Sequence, residues 1–598
     1  MNSQVIRIFG IPAVLLLIFA EAAYASGRNG PRTDTLMKMS HERYFEELFR
    51  RQPPMPIRPP ILHPLGPQST FPNIDISRDT FPQNEPSVRI SHKDPNQMCA
   101  AWRDFRTGVT PAVRRVGYSF STDGGVTWGP TDLLPRLFQP EGYTRNSDPA
   151  VCVDTAGNFY VATIALNDND ASSKIIVYKS ILGGSFVYAS FAPSDTADPG
   201  YDKEYIVCDL NASSPFVNNL YIVSSGSRFT RSTDEGANWS SAVSTNGVGG
   251  FAPDLCVGRD GSVNVVSGVG SALWFDKSTD GGVSFGVHSV VVDSIDYVAP
   301  HVGRPSFPSI ACDVTDGPSR GHLYSVWTDT TYGDADVFLG VSRDGGQTWS
   351  KGRRVNDDSK RNGKDQYWPW IAVDDRGVVS IVYYDTRNTP DSSYFQAYLA
   401  YSWDGGLTFT NRLISTAQSP RNQPNGAVRF GDYIGLDSWG KHTVPVWTDE
   451  RAGGFDMSIY TALLDTLPLV NFSGVTVSVA RSWNMISLPV LPPSMPAESV
   501  FPTRTSIAFA FAGTYVPSDT LRIGSGYWLR FGSPESIRVF GDTLTADSIS
   551  VGDGWNLFGS ITNPVPIGSV TSDPPGLIVS RFFDFGAGYR SATTISPG

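Results

Sequence analysis

The stretch STDGGVTW (121–128) decides the fold, because four similar stretches follow it along the chain. The shared pattern is Ser-x-Asp-x-Gly-x-x-aromatic. Its copies are STDGGVTW (121–128), STDEGANW (232–239), STDGGVSF (278–285), SRDGGQTW (342–349) and SWDGGLTF (402–409). This pattern, called the turn motif below, predicts a tight β-turn in which the carboxylate caps backbone N–H groups, glycine adopts a positive φ and the ring packs into a sheet. A chain that repeats one β-turn is predicted to repeat one sheet unit.

The spacing of the motif aspartates predicts a further, degenerate copy. The five aspartates are Asp123, Asp234, Asp280, Asp344 and Asp404, and the gap between the first two is about twice as long as the others. SILGGSF (180–186) lies inside that gap and keeps the serine, the glycines and the aromatic residue, with the aspartate lost and one residue deleted. We therefore expect a sixth turn of the same kind there.

A second repeat precedes the turn motifs. It consists of an apolar strand, an Asp/Gly turn and another apolar strand, as in PWIAVDDRGVVSIVYYD. Seven such units follow one another at similar intervals, and they start near Pro86, Pro149, Glu204, Pro253, Pro308, Pro369 and Asp432. The interval suits one four-stranded sheet per unit: strands A and B come from the repeat, strand C leads into the turn motif and strand D follows it.

The seventh unit lacks a turn motif and a strand D. NIDISRD (73–79), which precedes the first unit, is similar to RRVNDDS (353–359), which is a strand D before a new strand A. We therefore expect residues 73–77 to pair with the strand at 456–462. That pairing would close a ring of sheets and remove its exposed edges.

The turn motif resembles the Asp-box, or BNR repeat, of bacterial secreted β-propellers of the sialidase superfamily. The resemblance covers about residues 70–465 and implies an all-β propeller. The units counted above predict seven blades, and the six blades of sialidases are the alternative. In that family the box is a structural turn, so it indicates the fold and not the chemistry.

The remaining chain divides into three predicted segments. Residues 1–25 are predicted to be a signal peptide, because an apolar run at 8–20, too short to span a bilayer, precedes the small-x-small site at 23–25. Residues 26–69 are predicted to form a helix and a proline-rich linker before the propeller at 70–466. Residues 470–598 are predicted to form a small β-module in which SWNMISLPV (482–490) matches a second copy, GWNLFGSIT (554–562). The second copy would run past residue 598, so we expect the module to be truncated.

Composition narrows the class of partner. The formal net charge is −11 and no block of the 47 lysines and arginines could follow a phosphate backbone, which argues against nucleic-acid binding. With a signal peptide, the expected location is secreted or at the cell surface. The expected partner is an extracellular carbohydrate or glycoprotein. After cleavage of the signal peptide, the protein is expected to have no membrane span and to be a monomer.

The five cysteines are predicted to be free, buried thiols. An odd number cannot form a complete intramolecular disulfide set. Four of them lie in short apolar strands, AVCVD, YIVCD, DLCVG and SIACD, where cysteine behaves as a small apolar residue.

The candidate site lies on one face of the ring. Antiparallel topology places the turn after strand B and the start of strand A on the same face, which we call the rim face. The sialidase resemblance implies three arginines that clamp a substrate carboxylate, a Tyr–Glu nucleophile and an aspartate acid/base. The residues that could supply these roles are Asp104, Asp148, Glu204 and Tyr433 for catalysis, and Arg106, Arg304, Arg387 and Arg451 for substrate binding, with Trp368 as a stacking platform for a sugar.

Two observations weigh against direct transfer of that chemistry. The early Phe/Tyr-Arg-Ile-Pro motif of sialidases is absent, and the nearest strings, PIRPP and SVRISH, do not match it. The recurring aspartates after strand B (Asp104, Asp329, Asp385 and Asp449) have an alternative role, which is to brace a neighbouring blade through hydrogen bonds or arginine pairs.

The sequence leaves two functions open. The chain binds or hydrolyses extracellular glycans at the rim face, as a sialidase-like glycoside hydrolase would, or it is a non-catalytic adhesion, protein-binding or scaffold propeller. We expect no cofactor. The aspartate-rich stretch DTTYGDADVF (329–338) could hold Ca²⁺ through carboxylate and carbonyl oxygens, and an ordinary solvated loop is the alternative that we favour.

Overall fold

The computed structural model describes residues 69–598 with gaps. The gaps are 109–112, 137–141, 168–172, 193–201, 246–249, 270, 296–306, 318, 390–391, 421–429, 452–456, 465–471, 492–495, 512, 519, 545–548, 550, 553 and 586–588. The predicted signal peptide, and the predicted helix and linker up to residue 68, lie outside the described residues.

Within the described residues, the chain from 73 to 462 forms seven antiparallel sheets, each built on four strands. Sheets 1 to 6 follow one another along the chain, and each pairs its strands A to D in order. Sheet 6 carries one additional short strand, and sheet 7 takes its outer strand from the start of the chain.

The strands are as follows. Strand β1 is Asn73–Asp75; sheet 1 has β2 (Gln83–Ile90), β3 (Met98–Asp104), β4 (Arg115–Ser121) and β5 (Asp132–Leu133); sheet 2 has β6 (Tyr143–Val153), β7 (Phe159–Asn167), β8 (Ser173–Ser180) and β9 (Val187–Ala192); sheet 3 has β10 (Tyr205–Cys208), β11 (Leu220–Ser224), β12 (Arg228–Ser232) and β13 (Val243–Ser244). Sheet 4 has β14 (Phe251–Val257), β15 (Val263–Val269), β16 (Ala272–Ser278) and β17 (Val287–Val292); sheet 5 has β18 (Ser309–Cys312), β19 (Leu323–Asp329), β20 (Asp336–Ser342) and β21 (Arg353–Arg354); sheet 6 has β22 (Gln366–Val373), β23 (Val379–Asp385), β24 (Tyr394–Ser402), β25 (Thr410–Leu413) and the additional β26 (Ser419–Pro420); sheet 7 has β27 (Gly435–Trp439), β28 (His442–Asp449) and β29 (Ser458–Ala462).

The sheets close into a ring. Strand β1 pairs with β29, with Asn73 opposite Ala462 and Asp75 opposite Tyr460. Each strand A contacts strand A of the next sheet, from β2 through β6, β10, β14, β18, β22 and β27, and β27 contacts β2 again. The predicted pairing of the first segment with the last strand is therefore confirmed, and strands A line the centre of the ring as they do in a β-propeller.

The middle strands are buried on both faces because each sheet packs between two others. Strands β3, β19 and β23 are buried at every residue. Such strands are near-continuous apolar runs instead of alternating apolar and polar positions, since neither face meets water.

The five motif aspartates make the same hydrogen bonds. Asp280 accepts the Ser278 hydroxyl (2.7 Å) and both the backbone N–H (2.9 Å) and the hydroxyl (2.6 Å) of Ser284, while Ser278 accepts the backbone N–H of Gly282 (2.9 Å). The other four aspartates, Asp123, Asp234, Asp344 and Asp404, repeat this pattern with threonine or asparagine in place of Ser284. The turn is therefore held by contacts among residues of the motif itself.

The degenerate copy also lies at a turn between strands C and D. Strand β8 ends at Ser180, β9 begins at Val187, and the Ser180 hydroxyl donates to the carbonyl of Gly184. Phe186, at the aromatic position, is buried against Tyr118.

The prediction that all cysteines are free thiols is wrong for two of them. Cys256 and Cys312 form a disulfide bond with Cα atoms 6.1 Å apart. Cys99, Cys152 and Cys208 are buried, and none of them is disulfide-bonded in this structure. The apolar setting of four cysteines and the order of the units were visible in the sequence, but whether the side chains of Cys256 and Cys312 point toward each other was not.

The chain after residue 471 forms smaller sheets. Strands β30 (Phe472–Val479), β32 (Val490–Leu491) and β36 (Glu535–Thr543) form one sheet; β31 (Ser482–Ser487), β33 (Ala508–Phe511), β34 (Tyr515–Ser518) and β35 (Gly526–Phe531) form a second; β37 (Val565–Pro566) pairs with β40 (Thr594–Ile595), and β38 (Phe583–Phe585) pairs with β39 (Tyr589–Ser591). A short helix α1 covers Ala497–Val500 and a 3-10 turn covers Ile567–Ser569.

The two copies of the C-terminal sequence repeat make the same loop contact. Asn484 accepts the backbone N–H of Ala480 (2.8 Å) and donates to its carbonyl (2.9 Å). Asn556, at the same position of the second copy, does the same with Gly552 at 2.9 and 2.8 Å. The first copy lies in strand β31, whereas in the second copy Phe558 forms an isolated bridge with Ser525.

The described residues include no helix long and apolar enough to cross a membrane.

Candidate functional site

The site begins with an unusual backbone conformation where strands A start. Five non-glycine residues there have φ between 44° and 54°: Glu85, Asp148, Lys203, Ala252 and Trp368. In β2, β6, β14 and β22 the register with strand B shifts at the same point. Left-handed backbone at residues other than glycine is costly, persists only where the surrounding structure fixes it, and clusters at functional sites.

Side chains from four sheets meet at this level of the ring. We call Glu85, Arg103, Asp148, Lys203, Glu204 and Tyr433 the hub. The Nζ atom of Lys203 lies 3.3 Å from the ring centroid of Tyr433 and 4.1 Å from that of Tyr205. The Nη2 atom of Arg103 lies 3.0 Å from Glu85 Oε1, and its Nη1 atom lies 3.9 Å from Asp148 Oδ1.

The hub is almost entirely removed from water. Its exposed fractions range from 0% for Glu204 to 7% for Asp148. Burying charge in this way is unfavourable unless opposite charges and hydrogen bonds compensate it. Arg103 supplies part of that compensation, since it also donates from Nε to Asn84 Oδ1 (2.7 Å).

The two hub carboxyls Asp148 and Glu204 have pKa values displaced in opposite directions. Burial opposes ionisation of Asp148, but the charges of Lys203 and Arg103 outweigh it and lower its pKa. For Glu204, burial and the nearby Asp148 carboxylate raise the pKa well above its usual range. Environments that separate two carboxyl pKa values in this way produce one proton donor and one ionised carboxylate.

The other polar groups of the hub are also perturbed. Burial lowers the pKa of Lys203, although Asp148, Glu204 and Glu85 act in the opposite direction. Burial and the same carboxylates raise the pKa of Tyr433 well above its usual value, so its hydroxyl stays protonated.

Three hub side chains make no hydrogen bond to the described residues. These are Lys203 through Nζ, Glu204 through both carboxyl oxygens, and Tyr433 through its hydroxyl. A buried polar group without a partner costs about 1–3 kcal/mol, so such groups are usually satisfied by water or a ligand. A narrow pocket lies between strands A with Tyr205 and Tyr433 in its wall, but neither Lys203 nor Glu204 lines it.

The structure brings together three of the four predicted catalytic residues. Asp148, Glu204 and Tyr433 lie in the hub. Asp104 lies instead at the end of β3, where it accepts the indole N–H of Trp102 (3.0 Å) and the backbone N–H of Arg106 (2.9 Å). Both partners belong to sheet 1, so these contacts hold the aspartate's own turn, and neither of them reaches a neighbouring blade.

Three predicted substrate-binding arginines are each bound to an aspartate of their own turn. Arg106 Nη2 lies 2.7 Å from Asp104, Arg387 Nε 2.7 Å from Asp385, and Arg451 Nη2 2.6 Å from Asp449. Burial opposes the charge of Arg387 and Arg451, but these carboxylates raise their pKa values.

The same arginines also contact residues outside their own turns. Arg106 is 3.4 Å from Asp79, Arg387 pairs with Asp357, and Arg451 donates to Asn73 Oδ1 of β1 (3.0 Å). These contacts occupy the guanidinium groups that the sialidase resemblance assigns to a substrate carboxylate. The fourth candidate, Arg304, lies outside the described residues.

Trp368 is packed among aromatic rings. It is 2% exposed, its ring lies edge-on to Tyr367 at 5.6 Å, and Phe430 lies at 6.3 Å. Its indole N–H makes no hydrogen bond to the described residues. In this conformation the ring belongs to the core and presents no exposed face to a sugar.

The described residues contain no group of three or more histidine, cysteine, aspartate or glutamate side chains that could hold a metal ion. In the aspartate-rich stretch, Asp334 accepts the backbone N–H of Gly363 (2.9 Å), and Asp336 accepts the side-chain amide of Asn356 (2.7 Å).

The comparisons with known proteins identify no family. No family model matches the sequence, and no curated protein matches it. Sialidases are among the solved structures to which this chain is similar. The NanB sialidase from Streptococcus pneumoniae is 13% identical, with 68% of this chain and 71% of that chain covered and a TM-score of 0.35.

Two further solved structures cover 66% of this chain and 98% of their own chains. A protein of unknown function from Dyadobacter fermentans is 16% identical with a TM-score of 0.39, and the α-L-arabinanase from Penicillium chrysogenum, solved with arabinobiose, is 14% identical with a TM-score of 0.36. Identities and TM-scores at this level carry no argument about the activity of this chain.

Glu85, Arg103 and Lys203 lie on the rim face according to the sequence repeat, but no catalytic or binding role was predicted for them. A signal was present, because Glu85, Asp148 and Lys203 each immediately precede the start of a repeat unit, at Pro86, Pro149 and Glu204. The units aligned on these starts place the three charged residues together on the rim face, but the pattern does not show which of them meet at its centre.

Proposed function

We propose that this protein is an exported, seven-bladed Asp-box β-propeller that recognises extracellular glycans at the centre of its rim face. The observation that carries the proposal is the set of buried, unpartnered polar atoms on Lys203, Glu204 and Tyr433. Sugar hydroxyls both donate and accept hydrogen bonds, so they match an ammonium, a carboxyl and a phenol held side by side. A carbohydrate is proposed over other polyhydroxylated ligands because the resemblance of the whole 70–465 region is to the sialidase superfamily.

Seven blades are favoured over six by the contacts of the inner strands. Seven described sheets follow one another, and the last strand A contacts the first. The blades would span the proposed domain at 70–466, with the β-module at 470–598 as a separate unit.

Glycoside hydrolysis is a second candidate, and one observation favours it. Glu204 has a raised pKa and Asp148 a lowered one, which is the pairing of a proton donor with an ionised carboxylate that glycosidases use. Recognition is favoured over hydrolysis because Arg106, Arg387 and Arg451, which would hold a substrate carboxylate, are already bound to aspartates.

One experiment separates these functions. The full chain is tested for binding on a glycan array, and for turnover of sialosides and of neutral and uronic glycosides, beside Glu204→Gln and Asp148→Asn. The matched control is Glu498→Gln, whose carboxylate is exposed and lies outside the hub. Circular dichroism and thermal unfolding establish that each variant is folded.

Each result has a defined meaning. Glycan binding that is weakened at least tenfold in Glu204→Gln and retained in the control supports recognition by the hub. Turnover that is lost in both hub variants supports hydrolysis. Glycan binding that neither hub variant changes would overturn the hub as the binding site. A folded protein that neither binds nor hydrolyses a glycan supports the adhesion or scaffold alternative.

Export is tested separately. The protein is expressed with the segment 1–25 in place in a Gram-negative host and recovered from the periplasm or medium. Amino-terminal sequencing should begin at Ser26, and a cytoplasmic product that keeps Met1 would overturn export.

A further inference from the structure

The disulfide Cys256–Cys312 joins two neighbouring inner strands at a defined register. Cys256 is the penultimate paired residue of β14, opposite Asn264 in the next strand of its sheet. Cys312 is the last paired residue of β18, opposite Leu323. The two cysteines are 56 residues apart.

Cys152 and Cys208 occupy the same two registers in sheets 2 and 3. Cys152 is the penultimate paired residue of β6, opposite Tyr160, and Cys208 is the last paired residue of β10, opposite Leu220. Their separation along the chain equals that of the first pair. Since β6 and β10 are neighbouring strands A, as β14 and β18 are, the second pair repeats the placement of the first.

The surroundings of the second pair agree with a bond across the two strands. Cys152 is 2% exposed and Cys208 is 7% exposed, and both belong to one continuous apolar cluster. Burial raises the pKa of the Cys208 thiol, and the nearby Cys152 adds to that rise.

We propose that Cys152 and Cys208 form a second disulfide, which ties strand A of sheet 2 to strand A of sheet 3. Cys99 is then the remaining thiol. It lies in β3, which is a strand B, so it has no counterpart in the pattern of the other four. The odd number of cysteines is thereby divided into two bonds between inner strands and one unpaired residue.

The bond forms by thiol–disulfide exchange with an external disulfide, such as oxidised glutathione or an oxidised dithiol protein. One cysteine thiolate attacks the external disulfide and forms a mixed disulfide, and the first external thiolate leaves and takes up the proton. The second cysteine thiolate attacks the mixed disulfide and releases the second external thiol. Two protein thiols are oxidised and one external disulfide is reduced to two thiols.

Burial determines when this exchange takes place. The thiolate is the attacking species, and burial raises the pKa of Cys152 and of Cys208 far above that of a free cysteine. In the folded ring both thiols are therefore protonated and shielded from an external disulfide. We expect the bond to form while the chain folds, before the two strands are covered.

The test counts thiols on the full chain. The protein is refolded in a buffer of oxidised and reduced glutathione, denatured without reduction in the presence of N-ethylmaleimide, and weighed by intact-mass spectrometry. We expect one adduct, on Cys99, and five adducts after reduction. Three adducts in the unreduced protein, with Cys152 and Cys208 both labelled, would overturn the proposal.

The variant Cys152→Ser changes the number of N-ethylmaleimide adducts in opposite directions, depending on whether the bond exists. If the bond exists, Cys152→Ser frees Cys208 and raises the count from one to two. If both thiols are free, the same variant lowers the count from three to two. Cys256→Ser is the matched control, because it breaks the bond to Cys312 and should raise the adduct count by one. Peptide mapping of the wild type must find Cys152 linked to Cys208 and not to Cys99.

Discussion

Replacement of Arg103 by methionine tests whether the hub is an electrostatic unit. The guanidinium lies 3.0 Å from Glu85 and 3.9 Å from Asp148, and it donates to Asn84 at 2.7 Å. Methionine keeps an unbranched apolar stem of similar length but leaves two buried carboxyl groups without this cation. Removal of one partner from a buried ion pair costs about 3–5 kcal/mol, and we expect Arg103→Met to lower the free energy of unfolding by that amount.

The measurement is urea unfolding of the full chain at pH 7, followed by tryptophan fluorescence, with the free energy taken from the midpoint and the slope. The matched control is Arg353→Met, whose exposed guanidinium donates to the Leu407 carbonyl at 2.7 Å and should change stability by less than about 0.5 kcal/mol. A loss below about 1 kcal/mol for Arg103→Met, with an unchanged slope, would refute the view that this arginine neutralises the hub carboxylates.

Three further predictions concern the turns. Burial opposes ionisation of Asp280, but four hydrogen bonds outweigh it and lower its pKa to about 2. The wild type should therefore have a higher free energy of unfolding than Asp280→Asn; this difference should be complete above the ordinary pKa of 3.8 and disappear as the pH falls through about 2. Urea unfolding from about pH 2 to 6 measures it. Gly346 has a φ of +94°, and a Cβ atom there would clash with the Phe275 ring, whereas Gly363 has a φ of +72° and open space around it. By the same method, Gly346→Ala should lower the free energy of unfolding by more than twice the ~1 kcal/mol expected for Gly363→Ala. Asn484→Ala and Asn556→Ala each remove three side-chain hydrogen bonds to one loop, and thermal unfolding should show similar losses of about 1–2 kcal/mol. Unequal losses would show that the repeat copies are not equivalent.

The turns and the ring closure were predictable because their causes are local or repeated. Each motif aspartate bonds to residues two to four positions away, so the pattern contains its own explanation. The closing strand at 73–75 was recognisable because the chain contains another strand D with a similar sequence, at 353–359. One recurring feature of the turn was missed, namely the Thr, Ser or Asn before the aromatic residue, which donates its side chain to the aspartate.

The hub was not predictable in the same way, for a geometric reason. In a regular strand, side chains alternate between two faces, and a pattern of apolar residues then indicates which face is buried. The register shift between Asn84 and Ser87 interrupts this alternation, and the positive φ of Glu85 and Lys203 redirects their side chains. Both residues are present in the sequence, but the alternation that would indicate the direction of their side chains is interrupted at this point of the strand.

The charges around the hub bear on which glycan it would accept. With Glu204 protonated because of its raised pKa, the carboxylates of Glu85 and Asp148 face the cations of Arg103 and Lys203. Asp432 also lies close enough to Lys203 to act on its charge. An acidic sugar would therefore bring another negative charge to a group that holds at least as many carboxylates as cations.

The sialidase resemblance implies arginines that clamp the carboxylate of such a sugar. Here Arg106, Arg387 and Arg451 would each have to leave a carboxylate at 2.6–2.7 Å before they could bind the ligand. Separation of a largely buried arginine from its carboxylate leaves that carboxylate uncompensated, which is unfavourable by several kcal/mol. A neutral glycan does not require these arginines to leave their carboxylates. The buried hub must still open before glycan hydroxyls reach Lys203, Glu204 and Tyr433, but no ion pair has to be broken, and for this reason we expect neutral glycans to bind in preference to sialosides.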